Sequence, residues 1–339
     1  MTAFGIAGIG AALGRRTRVA DVALEYTEDL RRLRAWGFRS FHEAEPDVQP
    51  NDLAVRAAEA ALARTGIAAT ELDAVVLCTT GPSEYLYWDA AAAVQGRIGA
   101  CNAEVLLVSH ACTSTVMAFD LVAGKFATHA DYRTVLVVGV NRVCEPYWNR
   151  MDSNTAVFSD GAAAAVLRRG ESRCQWLVTE TVTDGSLADL LLLDRGGVAQ
   201  PWEDGEQSPA PVAPAVQRLQ SFYGEDTAAM QRFGELTVQR TKDVVLRACK
   251  RADIEASSIA RLIHLNDNIV ALSSLAAALD IPLARTNAEI AMEHGHAGCA
   301  DQLLTLDLHL SGGALVEGDL VALTAMGSGM HWSCTLLRV

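Results

Sequence analysis

The sequence predicts an α/β protein in two halves, each a run of alternating strands and helices. Three observations predict it. Short, continuous apolar runs punctuate the chain, as strands buried on both faces do. Amphipathic stretches with helix start and stop residues stand between them. The alternation then begins again after a join near residues 168 to 175, dividing the chain into 1–170 and 171–339.

In order, "FGIAGIGAAL" reads as a glycine-rich first strand, and "NDLAVRAAEAALARTGI" as a helix that Asn51 can cap and Gly66 ends. "LDAVVLCTT", "EVLLVSHAC", "TVLVVGVN" and "AAAAVLRR" follow as strands. In the second half come the helix "ELTVQRTKDVVLRACKRADI", the strand "IARLIHLN", the helix "NIVALSSLAAALDI", and the strands "GDLVALTAMGSGM" and "WSCTLLRV". Between the halves "PWEDGEQSPAPVAPAV" holds four prolines and reads as a surface loop, a candidate flap over a pocket.

The composition excludes several classes. No apolar run reaches the roughly 18 residues that span a bilayer, and the first arginines follow the apolar N-terminal stretch, the reverse of a secretory signal. Eight scattered cysteines fit reduced thiols better than a disulfide framework. A net charge of −13 argues against general nucleic-acid affinity. The expectation is a cytoplasmic globular protein with no membrane or nucleic-acid partner.

Three places could carry chemistry. Cys112, in "SHACTSTVMAF", follows a buried strand and opens a helix, where amides stabilise a thiolate and the sulfur points out of the sheet. A buried structural thiol is the plainer alternative. His264 ends the strand "RLIHLN", and strand ends are where α/β proteins hold ligands; a hydrogen-bonded core histidine is the other reading. In "AMEHGHAGCAD", His294, His296, Cys299 and Asp301 share one small-residue turn, but their spacing matches no standard zinc pattern, so no metal is expected. Gly8, Gly10 and Gly14 only imitate a dinucleotide loop: the third is one residue late, and "RRTRV" stands where a helix should begin.

Taken together, "NDLAVRAAEAALARTGI", "HACTST", "NTAVFSDGAAAAVL", "LIHLNDN", "HGHAGCAD" and the C-terminal "GDLVALTAMGSGMHWSCTLLRV" resemble the ketoacyl synthase III branch of the thiolase fold over nearly the whole chain. The resemblance implies a five-layered α-β-α-β-α sandwich of two similar halves and a homodimer. It also implies an acyl-cysteine intermediate loaded from an acyl carrier protein or coenzyme A, the acyl-phosphopantetheine serving as co-substrate with no permanently bound cofactor. Cys112 matches the nucleophile and His264 the histidine of the family's strand end, here between Ile263 and Leu265. The oxyanion hole would combine the Cys112 amide with one from the Gly327-Ser328-Gly329 turn.

The departures point to a different second step. His296 stands where the family normally has an asparagine, and Asp301 follows it by five positions. A carboxylate beside an imidazole orients it and stabilises its protonated form, which suits a base that takes a proton from a hydroxyl or amine. A carbanion made by decarboxylation needs no such base. A Cys112-His296-Asp301 triad resembles that of ketoacyl-synthase-III-like acyltransferases of antibiotic biosynthesis, which esterify sugars or cyclitols, and of starter-unit enzymes of aromatic polyketide pathways. The alternative is decarboxylative condensation with His264 and His296 as donor pair. Tyr85, Tyr87 and Trp88 match a region that lines the family's acyl pocket, sometimes across the dimer, although core packing explains them equally. Ile269 replaces the arginine that commonly follows the strand-end histidine by five residues. The preceding helix still carries Arg240, Lys242, Arg247, Lys250 and Arg251, either a docking cluster for an acidic carrier protein or coenzyme A phosphate, or a solvated face.

Overall fold

A computed structural model describes residues 3–145, 147–153, 155–193, 196–202, 215–224 and 226–339. The first half runs β1 (Phe4–Leu13), β2 (Arg15–Arg18), α1 (Val19–Tyr26), α2 (Leu30–Trp36), β3 (Ser40–Glu43), α3 (Pro50–Thr65), β4 (Ala74–Thr79), α4 (Ala90–Arg97), β5 (Glu104–Val108), α5 (Ser114–Thr128), β6 (Thr134–Asn141) and β7 (Gly161–Arg169). The second runs β8 (Gln175–Thr183), α6 (Ala215–Tyr223), α7 (Thr227–Ala252), β9 (Ile259–Ile263), α8 (Ile269–Ala278), α9 (Ala288–His294), α10 (Asp301–Ser311), β10 (Leu320–Gly327) and β11 (His331–Arg338). The proline-rich loop lies outside the described residues over 203–214.

Two mixed sheets result, ordered β1-β7-β6-β4-β5 and β8-β11-β10-β9. The pairings repeat: antiparallel for β1/β7 and β8/β11, antiparallel for β7/β6 and β11/β10, parallel for β6/β4 and β10/β9. Where the first sheet adds β5 beside β4, the second has only a parallel bridge between Leu262 and Thr286. Helices α5 and α10 lie between the sheets, each touching strands of both; α3 and α4 cover the outer face of the first sheet, and α7, with α8 against it, covers the second. These are the five layers of the thiolase sandwich. The middle layer is apolar on both sides, with Phe119, Val122, Phe126, Leu303 and Leu306 fully buried.

Three local expectations need correction. Asn51 does not cap α3; it lies inside the helix, buried, with its amide donating to the Ala90 carbonyl at 2.9 Å, and Gln49 is the N-cap. The cap moved because Pro50 occupies the first helical position, where its missing N–H costs nothing. Strand β5 is an edge strand with Leu107 42% exposed, because no strand follows it in the sheet. Finally, β9 stops at Ile263, so His264 stands just past the strand end.

The motif "FSDG" is explained by a buried ion pair. Asp160, 1% exposed at its side chain, accepts from Arg150 at 2.8 and 3.1 Å and from the amides of Ala44 (2.8 Å) and Val143 (2.7 Å). One carboxylate thereby fastens β7 to the segments after β3 and β6.

Candidate active site

The repeated topology places two helix starts face to face. Short 3-10 turns, Ala111–Thr113 and Gly298–Ala300, precede α5 and α10, and the two turns touch. Cys112 sits on the first, and His296 and Asp301 flank the second. Residues 184 positions apart are thus brought together, with Cys112 Sγ 3.1 Å from His296 Nε2.

The Cys112 turn is tightly held. Ala111 takes a left-handed φ of 50°, a conformation costing a non-glycine residue on the order of 1 kcal/mol. Three hydrogen bonds maintain it: His110 N–H to Ser114 Oγ (2.8 Å), Ser114 Oγ to the Ala111 carbonyl (2.8 Å), and Thr113 Oγ1 to the His110 carbonyl (2.6 Å).

His296 is fixed through its backbone. Its N–H donates to the Val157 carbonyl and its carbonyl accepts from Ser159 N–H, both at 2.8 Å. Gly295 before it has φ 64°, and a Cβ there would stand 2.6 Å from Ser159 Oγ, so the glycine is required. The ring Nδ1 lies 2.5 Å from Asp301 Oδ2. That same oxygen accepts from Asn266 N–H at 2.7 Å, and Oδ1 accepts from Ala297 N–H at 2.8 Å. Asp301 is fully buried and first in α10. Burial works against charge on the His296 ring. The Asp301 carboxylate, then the Cys112 sulfur, outweigh it and hold the ring well above the usual histidine pKa.

His264 behaves differently. Burial first, and His296 second, pull its pKa down to about 3, so its ring is neutral. Nδ1 lies 2.9 Å from Thr324 Oγ1, and Asn287 bridges both its backbone N–H and its carbonyl. His264 is not among the residues lining the cavity described below. His294 and Cys299 turn away from His296: His294 Nδ1 lies 3.0 Å from His42 Nε2 with the rings stacked, and buried Cys299 donates to the Cys78 carbonyl at 3.2 Å. Among the described residues no group of three or more His, Cys, Asp or Glu is placed to hold a metal ion.

A cavity of about 190 Å³ opens onto Cys112 and His296, walled chiefly by Trp148, Phe158, Leu191, Phe233, Met326 and Met330. Gly327 and Ser328 border it; Gly329 does not. A Cβ on Gly327 would come 2.8 Å from the His110 carbonyl and 3.2 Å from the Cys112 nitrogen, so only glycine lets β10 approach the nucleophile turn this closely. Tyr85, Tyr87 and Trp88 do not line this cavity, which corrects the acyl-pocket expectation for a single chain. Tyr85 and Tyr87 are 66% and 110% exposed, and Trp88 packs on the core of the first half, edge-on to Tyr85. Only Thr80, Gly81 and Pro82 of that loop reach the cavity before the chain turns outward.

The basic residues of α7 differ in their surroundings. Arg251 pairs with Glu180 at 2.9 Å, Arg240 and Lys242 are half-buried, and Arg247 and Lys250 are exposed. Four residues at the site went unread in the sequence: Asn266, Asn287, Phe158 and Arg142. The polar run "LNDN" directly after an apolar strand is the signal that could have flagged Asn266.

The same run holds a buried carboxyl. Burial raises the Asp267 pKa from its ordinary value to about 7, the Asn268 amide hydrogen bonds opposing. Between the unfolded carboxyl pKa and about 7 the folded state therefore binds more protons, and this group's contribution to stability falls as pH rises. Asp267→Asn should gain stability relative to wild type from pH 4 to 7, with the difference levelling above 7, in urea unfolding at stepped pH. A difference independent of pH would refute the assignment.

Two sheets enclosing paired helix starts, one bearing a cysteine and the other a histidine–carboxylate, define the class: a thiolase-fold transferase. The comparisons place the chain within it. Residues 108–185 match the family 3-oxoacyl-[acyl-carrier-protein (ACP)] synthase III, and residues 249–339 match its C-terminal part. The β-ketoacyl-[acyl-carrier-protein] synthase III of Xanthomonas oryzae pv. oryzae (strain MAFF 311018) is 30% identical over 306 residues, 89% of this chain and 87% of its own. The 3-oxoacyl-(acyl carrier protein) synthase III of Pseudomonas aeruginosa PAO1 is 28% identical with a TM-score of 0.80, covering 99% of this chain and 98% of its own. ChlB3, described as an acyltransferase, superposes with a TM-score of 0.84 over 100% of this chain and 98% of its own, and at 21% identity shares the fold. The chain belongs to the β-ketoacyl-[acyl-carrier-protein] synthase III family.

Proposed function

We propose that the protein is an acyltransferase that moves an acyl group from an acyl carrier protein or coenzyme A thioester, through an acyl-cysteine, to a hydroxyl or amine of a small natural-product acceptor such as a sugar or cyclitol. The contact chain Cys112–His296–Asp301 carries this reading. In the first step Cys112 Sγ attacks the thioester carbonyl, the carbon–sulfur bond to the carrier breaks, and the departing thiolate takes the proton from His296 Nε2. The ring is left neutral against an uncharged thioester. In the second step Nε2 accepts the proton of the acceptor, whose oxygen or nitrogen attacks the acyl carbon as the bond to Sγ breaks. The imidazolium then stands again beside the cysteine, and Asp301 stabilises it. The Cys112 amide and the 327–329 turn would bind the oxyanion, and neutral His264, set back from the cavity and held by Thr324 and Asn287, would support the site from behind its wall.

Incubation with acyl thioesters should add one acyl mass to the peptide containing Cys112. Acylation that survives Cys112→Ala would remove the central claim.

The names of the relatives favour a second reading, condensation with loss of carbon dioxide, and His264 would then join His296 as donor pair. With a malonyl thioester the first reading expects transfer of the intact malonyl group; carbon dioxide with a carbon–carbon product would select the second. The proposal retains a cytoplasmic homodimer in antibiotic or polyketide biosynthesis. The exposed Tyr85, Leu86 and Tyr87 support the dimer as a surface a second chain could cover. Among the described residues no helix is long and apolar enough to cross a membrane.

A further inference from the structure

The cavity beside Cys112 contains one charged side chain that the mechanism does not use. Arg142 follows the last residue of β6 and lines the wall with Asn141 and Val143, and no Asp or Glu is among the lining residues. Arg142 as a residue is half-buried, with its Nη2 end toward solvent and its Nε inside. Its Nη2 donates to the Pro46 carbonyl at 3.3 Å, and its Nε is buried with no hydrogen-bond partner among the described residues. Glu84 borders an adjoining cleft with Arg142, but its Oε1 accepts from the Asn51 amide at 2.9 Å and it makes no ion pair with the arginine. Among the described residues, then, an obligate cation lines an otherwise largely apolar cavity without a counter-ion. Such a group is stabilised by an anionic ligand, and a planar carboxylate matches the guanidinium fork.

We propose that Arg142 binds a carboxylate carried by the acyl group, so that the preferred donor is a monothioester of a dicarboxylic acid. This rests on the acyl-cysteine reading above, because an acyl chain attached to Cys112 Sγ must occupy the cavity that Arg142 lines. Arg142 acts as a specificity residue: it reads the far end of the acyl chain while the triad handles the thioester end.

The test uses three N-acetylcysteamine thioesters, succinyl, its neutral methyl ester, and pentanoyl, with the rate of Cys112 acylation followed by intact mass. Wild type should acylate with succinyl about tenfold to a hundredfold faster than with either neutral analogue, the range expected of a charge-assisted hydrogen bond. In Arg142→Gln the ratio of succinyl to pentanoyl rates should fall toward one, and in Arg142→Lys it should be partly restored. Equal wild-type rates for all three, or a ratio unchanged in Arg142→Gln, would overturn the proposal while leaving the acyl-cysteine intact. The wild-type comparison decides even if a variant fails to fold. No labelling by any of the three removes the acyl-cysteine reading and this inference with it.

Discussion

Asp301→Asn and His296→Ala are expected to form acyl-enzyme yet turn it over about 10²- to 10⁴-fold more slowly, the usual worth of general-base catalysis. Acylation is less sensitive, because thiols as a class ionise far more readily than alcohols and so lean less on the imidazole. Acceptor deprotonation has no such advantage, since an alcohol is far from ionised near neutral pH. The geometry refines the expectation for asparagine. Both carboxylate oxygens accept backbone amides, from Asn266 and Ala297, so an asparagine NH₂ must face one of these donors. A stability cost of about 1–3 kcal/mol should therefore accompany the kinetic loss, and unfolding is measured alongside single-turnover transfer. Losing the carboxylate also removes the main cause that raises His296, so any residual transfer should reach its plateau at lower pH. His294→Ala should stay close to wild type, because His294 stacks on His42 away from the nucleophile. Full turnover in Asp301→Asn, or a dead His294→Ala, would show that the triad is misassigned.

Asp160→Ala is expected to cost about 3–5 kcal/mol of stability, the range for removing one partner of a buried ion pair. The side chains of Arg150 and Asp160 are 3% and 1% exposed, so neither can turn to water. The substitution leaves a buried guanidinium with Glu145 and the Phe158 carbonyl as its described partners, and strands the amides of Ala44 and Val143. Asp160→Asn should lose less, since its carbonyl still accepts one of those amides. Because Val143 lines the cavity, the damage should also reach acylation. Urea unfolding checks the claim, and a loss under about 1 kcal/mol for Asp160→Ala would contradict it.

Much of the fold was legible because β4, β6, β7 and β10 are largely continuous apolar runs, as strands of a sheet covered on both faces commonly are. The helix α3 could be read from its apolar period and Gly66, which caps it in the left-handed conformation. Strands β2, β3 and β8 and helices α1 and α2 are among the elements that escaped reading, β8 because polar residues interrupt its apolar run. Strand β2 and helix α2 are arginine-rich and β3 and α1 are short, and Leu33, Trp36, Phe38 and Phe41 acquire their meaning only in the satellite core that α9 completes. The α7 basic cluster looked coherent as a list of charges. In the fold it divides: Arg251 pairs with Glu180, Arg240 and Lys242 are half-buried, and Arg247 and Lys250 face solvent.

The sequence alone therefore determined the alternation of elements, the cysteine at a strand-to-helix turn, and the substitution of histidine for asparagine with an acid five residues later. Those are local facts, set by apolar period, turn chemistry and residue identity. It could not determine which polar groups would meet, because that depends on two chain segments placed by repeated sheets. Tertiary structure decided that Cys112 meets His296 and not His294, that Asp301 turns inward, that Tyr85 and Tyr87 point outward, and that Arg142 borders the cavity without a described counter-ion. The physical reason is that hydrogen bonding and desolvation are properties of neighbours in space. A chain fixes those neighbours only when its apolar layers close around them.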